Sequence, residues 1–383
     1  MSGFGFSEAQ EMFRKEIKNF LKKEIAPGAR QRAKLEHIPE KIWRAVADYG
    51  LLRFNAPEKY GGQPVDWVSV GILMEEITRV DFCLYHPILM TLAINQGLAQ
   101  GSEQVQAEWF PPILSGEKIA CLALTEPEAG SDAANIRTRA RRDGGYYILE
   151  GEKTSITQGN EARVAMLFAK TDPSQKARGV SCFMVPLDAP GVHRSRLPCM
   201  GYQPVASASI ILEGVRVPQH YLVGGEGQGF YIVMRQFDFM RLMLGLVCLG
   251  AAQASLEEAI EYAKTRKAFG QPLAKFEGIS FKIAEHYTRL EAARLLCYRG
   301  LYLKDQGQPH TREAAMVKWW CPQVAIAAVH DCLLIHGHYG YSEELPLEQC
   351  LRNLVGLEIG DGTAQIMKVI IPRELLGREF LPY

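Results

Sequence analysis

The chain has 383 residues, of which 47% are apolar and 22% are charged. This length and composition are typical of a globular protein with more than one core, and they disfavour wholesale disorder. Acidic and basic residues are equal in number, 43 each, so we expect no basic surface for nucleic acid or acidic lipid.

The first third of the chain has the apolar spacing of helices. Apolar residues recur at intervals of three and four after Ser7, which predicts an amphipathic helix there rather than a signal peptide. Asp66 is predicted to cap a helix that continues to Thr78, and a second apolar helix is expected over residues 84–98. No run of eighteen apolar residues occurs, so we expect a cytoplasmic protein without a membrane-spanning segment.

The middle of the chain, from Cys121 to about Val223, has an apolar period of two, which is typical of strands. The sequence Asp143-Gly144-Gly145 predicts the turn of a β-hairpin. Further strands are expected over residues 164–169, 180–186 and 209–217. Their close spacing, with no helix between them, favours an antiparallel sheet.

Helical spacing returns after residue 224 and continues to about Leu376. The order helices, strands, helices predicts an α+β fold with three domains. They are an N-terminal helical domain (1–120), a middle antiparallel β domain (121–224) and a C-terminal helical domain (225–383).

Several familiar motifs are absent. Residues 224–229 read G-G-E-G-Q-G and lack the spacing of a dinucleotide-binding loop, so a turn into the next helix is favoured. The nine cysteines include no C-x-x-C pair, and we expect free thiols in a reducing compartment. His336 and His338, two residues apart, are more often structural than metal ligands, so no metal site is expected.

Two segments are candidates for a ligand site. Residues 121–132, C-L-A-L-T-E-P-E-A-G-S-D, are predicted to end a strand in a turn where Gly130 and Ser131 offer hydrogen-bond donors. Residues 359–366, I-G-D-G-T-A-Q-I, place Asp361 between two glycines, which permit another backbone or a flat ligand to approach closely. From the residues alone, Asp361 is a turn residue or helix cap more often than a catalyst.

Six segments in this order resemble the acyl-CoA dehydrogenase family, and the resemblance covers nearly the whole chain. They are residues 124–132 (L-T-E-P-E-A-G-S-D), 150–157 (E-G-E-K-T-S-I-T), 236–241 (Q-F-D-F-M-R), 265–270 (T-R-K-A-F-G), 337–340 (G-H-Y-G) and 360–366 (G-D-G-T-A-Q-I). The resemblance implies that the C-terminal domain is a four-helix bundle and that the protein is a homotetramer. It also implies FAD as cofactor, an acyl-CoA as substrate and an electron-transferring flavoprotein as electron acceptor.

The resemblance also implies roles for individual residues. Asp361 falls at the position of the catalytic base, which removes the α-proton while a β-hydride passes to flavin N5. Cofactor contacts are implied for Leu122, Leu124, Thr125, Ser131, Thr157, Arg266, Phe269, Thr363 and Gln365. Substrate contacts are implied for Ser131, Thr91, Asn95, Phe237, Asp238, Arg241 and Gly360.

The chain departs from the family at the base. That base is usually Glu, and a bulky residue often precedes it, whereas here Asp361 follows Gly360. Both differences leave space at the substrate α-carbon, which a ring or an α-branch needs. We therefore expect oxidation of cyclohexane-1-carboxyl-CoA to cyclohex-1-ene-1-carboxyl-CoA, as in the cyclohexanecarboxyl-CoA dehydrogenases. Residues 84–98 contain no Asp or Glu that could act as a second base, so a diene product is not expected.

Other interpretations stay open. Ser155, Leu334 and His338 also depart from the family's residues near the flavin. The alternatives are a dehydrogenase of short or branched-chain acyl-CoA, a nitroalkane-oxidase-like flavoenzyme, and a non-catalytic DNA-associated relative of the family. The second also uses an Asp base but has no use for a CoA site, and the third is expected to carry a basic face.

Overall fold

The computed structural model describes residues 5–380. The first four residues of the first predicted domain and the last three of the third, 1–4 and 381–383, are outside this range. The α-helices are Glu8–Phe20 (α1), Ala29–Arg32 (α2), Glu40–Asp48 (α3), Trp67–Thr78 (α4), Tyr85–Leu98 (α5), Glu103–Leu114 (α6), Gly229–Thr265 (α7), Glu277–Asp305 (α8), Thr311–His336 (α9), His338–Tyr341 (α10), Leu347–Ile359 (α11) and Ala364–Leu376 (α12).

The strands lie between α6 and α7, apart from one short hairpin. They are Ala120–Ala123 (β1), Arg139–Asp143 (β2), Tyr146–Thr157 (β3), Val164–Lys170 (β4), Val180–Pro186 (β5), Val192–Arg196 (β6), Ser207–Pro218 (β7) and Leu222–Val223 (β8), followed by the hairpin Lys267–Ala268 (β9) and Gln271–Pro272 (β10).

The eight strands β1–β8 form one sheet, which confirms the predicted β domain. The order is β6-β7-β3-β2-β4-β5-β8, and β1 pairs with β4. Neighbours are antiparallel, except that β1 runs parallel to β4 and Arg139 of β2 makes one parallel pair with Lys170. A parallel pair needs a crossover connection, and here the β2–β3 hairpin lies in the chain between β1 and β4.

The chain divides into two compact units that do not follow sequence order. The first unit contains the N-terminal segment to Ala33, residues Asp66–Tyr85 and the chain from Asp238 onward. The second contains Lys34–Val65 and His86–Phe237, and therefore holds the whole eight-stranded sheet.

Helix α4 is a central element of the first unit. It begins at the predicted cap, where the Asp66 carboxylate accepts a hydrogen bond from the Ser69 backbone N–H at 2.9 Å. Nearly all of its residues are buried, including two acids. Glu75 accepts hydrogen bonds from Arg294 at 2.7 Å and Tyr298 at 2.6 Å. These charge-assisted bonds compensate for burying a carboxylate.

Helix α7 contains the longest apolar run of the sequence. By length and composition it is apolar enough to cross a membrane, but 89% of its most apolar window is buried inside the protein. This burial is typical of a core helix. From Asp238 onward α7 belongs to the first unit, as do α8, α9, α11 and α12.

Candidate functional site

Asp361 lies in a tight connection between two helices of the first unit. Helix α11 ends at Ile359, and Thr363 caps α12 by accepting a hydrogen bond from the Ile366 backbone N–H. Asp361 has a φ of 55°, in the left-handed region that few residues other than glycine adopt. Burial raises the pKa of its carboxyl group, and the charges of Lys318 and Arg241 oppose that rise.

Arg241 holds the backbone of this connection. Its side chain is buried, and Nε donates a hydrogen bond to the main-chain carbonyl of Asp361 at 3.1 Å. Its Nη1 lies 3.4 Å from Asp238 Oδ1, while Asp238 Oδ2 accepts a hydrogen bond from the Thr311 hydroxyl at 2.7 Å. Asp238 and Arg241 are therefore brought together near Asp361, and their assignment to CoA stays a prediction.

Lys318 of α9 is the second cation whose charge acts on Asp361. It is not among the site residues predicted from the sequence. It is fully buried, and Nζ donates to the carbonyls of Leu357 at 2.7 Å and Gly362 at 3.1 Å. Burial lowers the pKa of its ammonium group, which Asp361 partly counteracts. The only signal in the sequence is a lysine inside the apolar run 314–320 of a predicted helix.

The second unit contains the other candidate segment, at the end of β1. The Thr125 carbonyl accepts a hydrogen bond from the Thr154 backbone N–H at 2.9 Å, which joins this loop to β3. A side chain at Gly130 would meet no atom within 4 Å, so the loop has an open surface there. The predicted flavin contacts gathered in this unit are Leu122, Leu124, Thr125, Ser131 and Thr157.

A buried ion pair fixes the same loop. Lys153 of β3 is fully buried and donates to Glu126 Oε1 at 2.7 Å and to the Leu124 carbonyl at 3.0 Å. Glu126 also accepts hydrogen bonds from the backbone N–H groups of Arg137 and Thr138. Glu126 and Lys153 lie inside the motifs 124–132 and 150–157, but the resemblance implied no role for either residue.

Three of the predicted substrate contacts, Thr91, Asn95 and Phe237, belong to the second unit. The Thr91 hydroxyl donates to the Pro87 carbonyl at 2.8 Å within α5. Asn95 Nδ2 donates to the Leu52 carbonyl at 3.0 Å, whereas Asn95 Oδ1 has no partner within residues 5–380. Phe237 is partly buried in α7. Their contact with a substrate stays a prediction.

The remaining predicted cofactor residues belong to the first unit. Arg266 and Phe269 lie at the β9–β10 hairpin, and the Phe269 ring at its tip is 96% exposed. Gln365 is exposed in the first turn of α12. His336 is buried, with Nδ1 2.8 Å from the Cys332 carbonyl, whereas His338 is exposed. Across residues 5–380, no group of three or more His, Cys, Asp or Glu side chains is placed to hold a metal ion.

Three domains of one protein family match the sequence in order. The N-terminal, middle and C-terminal domains of acyl-CoA dehydrogenase match residues 7–117, 121–215 and 227–376. The chain belongs to the acyl-CoA dehydrogenase family. It is therefore an enzyme of the type that dehydrogenates acyl-CoA.

Curated relatives in this family span almost the whole chain. The short-chain specific mitochondrial acyl-CoA dehydrogenase of Rattus norvegicus is 37% identical over 374 residues, covering 96% of this chain and 90% of the relative. An acyl-CoA dehydrogenase of Bacillus subtilis is 36% identical over 374 residues, covering 97% and 99%.

Several solved structures have the same fold as this chain. Butyryl-CoA dehydrogenase from Megasphaera elsdenii is 31% identical with a TM-score of 0.93, covering 98% of this chain and 100% of that one. PigA with FAD and proline is 28% identical with a TM-score of 0.95, covering 98% and 100%. A chain from the electron transferring flavoprotein structure of Acidaminococcus fermentans is 33% identical with a TM-score of 0.94, covering 98% and 99%.

FAD is the cofactor of this acyl-CoA dehydrogenase family member, and the second unit suits a flavin ring. The hydroxyl groups of Thr125, Ser131 and Thr157 make no hydrogen bond to other residues in the range 5–380 and are at least partly exposed. They lie in the same unit as the apolar side chains of Leu122 and Leu124. A flat apolar ring with polar edges needs both kinds of contact.

Proposed function

We propose that Asp361 is the catalytic base and that the physiological substrate is an alicyclic acyl-CoA thioester. The observation that carries the proposal is the setting of Asp361. Asp361 lies between two glycines in the sequence. Burial raises the pKa of its carboxyl group, and the charges of Lys318 and Arg241 oppose that rise. A partly desolvated carboxylate that stays ionised suits removal of a weakly acidic proton.

In the proposed reaction, Asp361 takes the proton from the substrate α-carbon and a hydride leaves the β-carbon. FAD, when bound, supplies the acceptor for that hydride. The Asp361 backbone N–H has no acceptor within residues 5–380, so it is available to bond the thioester oxygen as negative charge develops there. The product is the α,β-unsaturated thioester.

The alicyclic substrate follows from the space beside the base. A Cβ atom at Gly360 would lie 3.6 Å from the Gly356 carbonyl oxygen and within 4 Å of no other neighbouring group in residues 5–380. Aspartate is shorter than glutamate by one methylene, and reactive geometry tolerates little misplacement. A ring that includes the substrate α-carbon would occupy the space left by Asp361, which is shorter than glutamate, and by Gly360, which has no side chain.

A short-chain acyl-CoA is the second candidate, because the relatives that match carry the names short-chain acyl-CoA dehydrogenase and butyryl-CoA dehydrogenase. Anaerobic flavin reduction by cyclohexanecarboxyl-CoA, butyryl-CoA and a branched acyl-CoA separates the two candidates. We expect the highest kcat/KM for the ring. Faster reduction by butyryl-CoA would overturn the alicyclic assignment, and reduction by a nitroalkane alone would overturn the thioester as well.

The proposed product is the 1-ene rather than a diene. Forming a diene from the 1-ene needs a base near the γ-carbon. Helix α5 carries Thr91 and Asn95 but no acid, and neither side chain is a useful base near neutral pH. Separate incubations with the saturated thioester and with the 1-ene decide this, since turnover of the 1-ene alone would contradict the proposal.

We also propose an electron-transferring flavoprotein as acceptor, a homotetramer as the assembly and a cytoplasmic location. Exposed apolar side chains on the hairpin and on α8 support self-association: Phe269, Phe281, Tyr287 and Leu295 are 96%, 60%, 50% and 47% exposed. Sedimentation of the FAD-bound protein tests the assembly, and a monomer at micromolar concentration would contradict it.

A further inference from the structure

Lys318 is a buried lysine whose ammonium group bonds to the main chain instead of to a carboxylate. Its side chain is fully buried, and its two hydrogen-bond acceptors are the carbonyls of Leu357 and Gly362. Burying an ammonium group without a bonded carboxylate is unfavourable. The position therefore needs an explanation beyond packing.

The two acceptors lie on either side of the proposed base in the sequence. Leu357 is in the last turn of α11, where carbonyl groups have no partner within the helix and carry partial negative charge. Gly362 is the residue directly after Asp361. The Lys318 ammonium group thus links the end of α11, before Asp361, to the residue that follows Asp361 in the connection to α12.

This attachment acts on a strained backbone. Asp361 has a φ of 55°, and a residue held in the left-handed region persists when its surroundings determine that conformation. Arg241 bonds the Asp361 carbonyl at 3.1 Å. Lys318 and Arg241 together hold three main-chain carbonyls, those of Leu357, Asp361 and Gly362.

The charges around Lys318 favour the same role. Burial disfavours its charged form, whereas the carboxylates of Asp361 and Glu358 favour that form and the guanidinium of Arg241 disfavours it. Within residues 5–380, the charges that lower the pKa of the Asp361 carboxyl group, against the effect of its burial, are those of Lys318 and Arg241.

We propose that Lys318 is a positioning residue for the dehydrogenation, which holds Asp361 in its reactive backbone conformation and keeps its carboxylate ionised at neutral pH. This inference rests on the proposed role of Asp361 as the base. Lys318 acts through Asp361 and has no contact with the thioester in this role.

The test measures flavin reduction by a saturating acyl-CoA in FAD-bound variants across pH. Lys318→Met removes both the charge and the hydrogen bonds, whereas Lys318→Gln keeps a donor and removes the charge. In both variants the rate should fall to half its maximum at a higher pH than in the wild type, because the base is protonated more easily. The maximal rate of Lys318→Met should be lower by roughly 10²-fold, since small displacements of a base have effects of that size, with a smaller change in KM.

Lys170 provides a matched control. It is also buried, and its Nζ donates to the carbonyls of Gln175 and Lys176 in the second unit. Lys170→Met should keep the wild-type pH profile. Profiles of Lys318→Met and Lys318→Gln that coincide with the wild type would overturn the inference, and Lys318→Gln alone decides the charge effect if Lys318→Met fails to fold.

Asp361→Asn separates failure of this inference from failure of the proposed function. If Asp361→Asn still allows rapid flavin reduction, Asp361 is not the base and the proposed function fails. If Asp361→Asn is inactive while both Lys318 variants keep the wild-type profile, the base is correct and the role of Lys318 is refuted.

Discussion

Replacing Glu126 by alanine should destabilise the second unit more than replacing its partner Lys153 by methionine. Glu126→Ala leaves the fully buried Lys153 ammonium without its carboxylate and removes the acceptor of two backbone N–H groups, those of Arg137 and Thr138. Breaking a buried ion pair from one side costs about 3–5 kcal/mol. Lys153→Met leaves Glu126 with both backbone donors and removes the ammonium's hydrogen bonds to Glu126 and to the Leu124 carbonyl, of which the bond to the carboxylate is worth about 1.5–3 kcal/mol.

Urea unfolding of the FAD-saturated variants measures these differences. Far-UV circular dichroism reports on the fold, and flavin fluorescence reports release of the cofactor. Because the pair fixes the loop that carries Leu124 and Thr125, FAD affinity should fall along with stability. A Glu126→Ala protein within about 0.5 kcal/mol of the wild type, or a larger loss for Lys153→Met than for Glu126→Ala, would refute the reasoning.

The pH dependence of the same unfolding has a defined sign. Burial lowers the pKa of Lys153 to about 8 from 10.5, with Glu126 opposing part of the change. Between those values the unfolded chain binds more protons than the folded one at this group, so its contribution to stability rises with pH. The stability of the wild type relative to Lys153→Met should therefore increase between pH 8 and 10.5.

Four further outcomes are expected. Asp361→Asn should bind FAD normally but slow anaerobic flavin reduction by roughly 10²–10⁴-fold, and a near-normal rate would identify another base. Gly360→Tyr should lower kcat/KM for cyclohexanecarboxyl-CoA at least about tenfold more than for butyryl-CoA; an equal effect would argue against a ring beside Gly360. Gly250→Ala should lower the free energy of unfolding by about 1–3 kcal/mol, because its methyl group would overlap the Glu75 carbonyl. Gly278→Ala, with no atom within 4 Å, should leave urea unfolding unchanged or slightly strengthened and serves as its control. Removing FAD should lower the thermal midpoint, because a ligand of the folded state stabilises it, and an unchanged midpoint would contradict the assignment of the flavin site.

Local chemistry made much of the fold predictable. Ser7 caps α1 in a reciprocal capping box with Gln10, and Asp66 caps α4, as the sequence indicates. Asp143 and Tyr146 pair across the predicted hairpin turn. Each of these features depends on residues within four positions of one another, so the sequence pattern carries the whole signal.

The division into two units could not be predicted from such local patterns. The first unit joins the N-terminal segment, Asp66–Tyr85 and the chain from Asp238, and no local pattern relates segments that far apart. The parallel β1–β4 pair was missed for the same reason, because an apolar run does not reveal which strand it will join.

The candidate site shows the same limit. The resemblance assigns roles to Asp361 and to the loop after β1 because the family motifs are contiguous, and those roles stay predictions. The groups that support them come from elsewhere in the chain: Lys318 bonds residues 39 and 44 positions away, and Arg241 bonds a residue 120 positions away. In the sequence Lys318 is one lysine in a helix, and the role that we propose for it depends on its two hydrogen-bond acceptors, which the sequence does not reveal.

Two buried lysines, Lys153 and Lys318, hold the main chain of the two segments on which the proposed site depends. Each donates a hydrogen bond to a main-chain carbonyl in a segment that carries a family motif: Lys153 to Leu124, and Lys318 to Gly362. The hydrogen bonds that hold the Asp361 connection go to main-chain carbonyls: Arg241 bonds that of Asp361 and Lys318 that of Gly362. The Asp361 carboxylate is therefore not needed to hold the connection. In the role that we propose for Asp361, a carboxylate shorter than that of glutamate changes the position of the reacting oxygen without loosening the connection, and the proposed ring substrate takes the space beside Gly360.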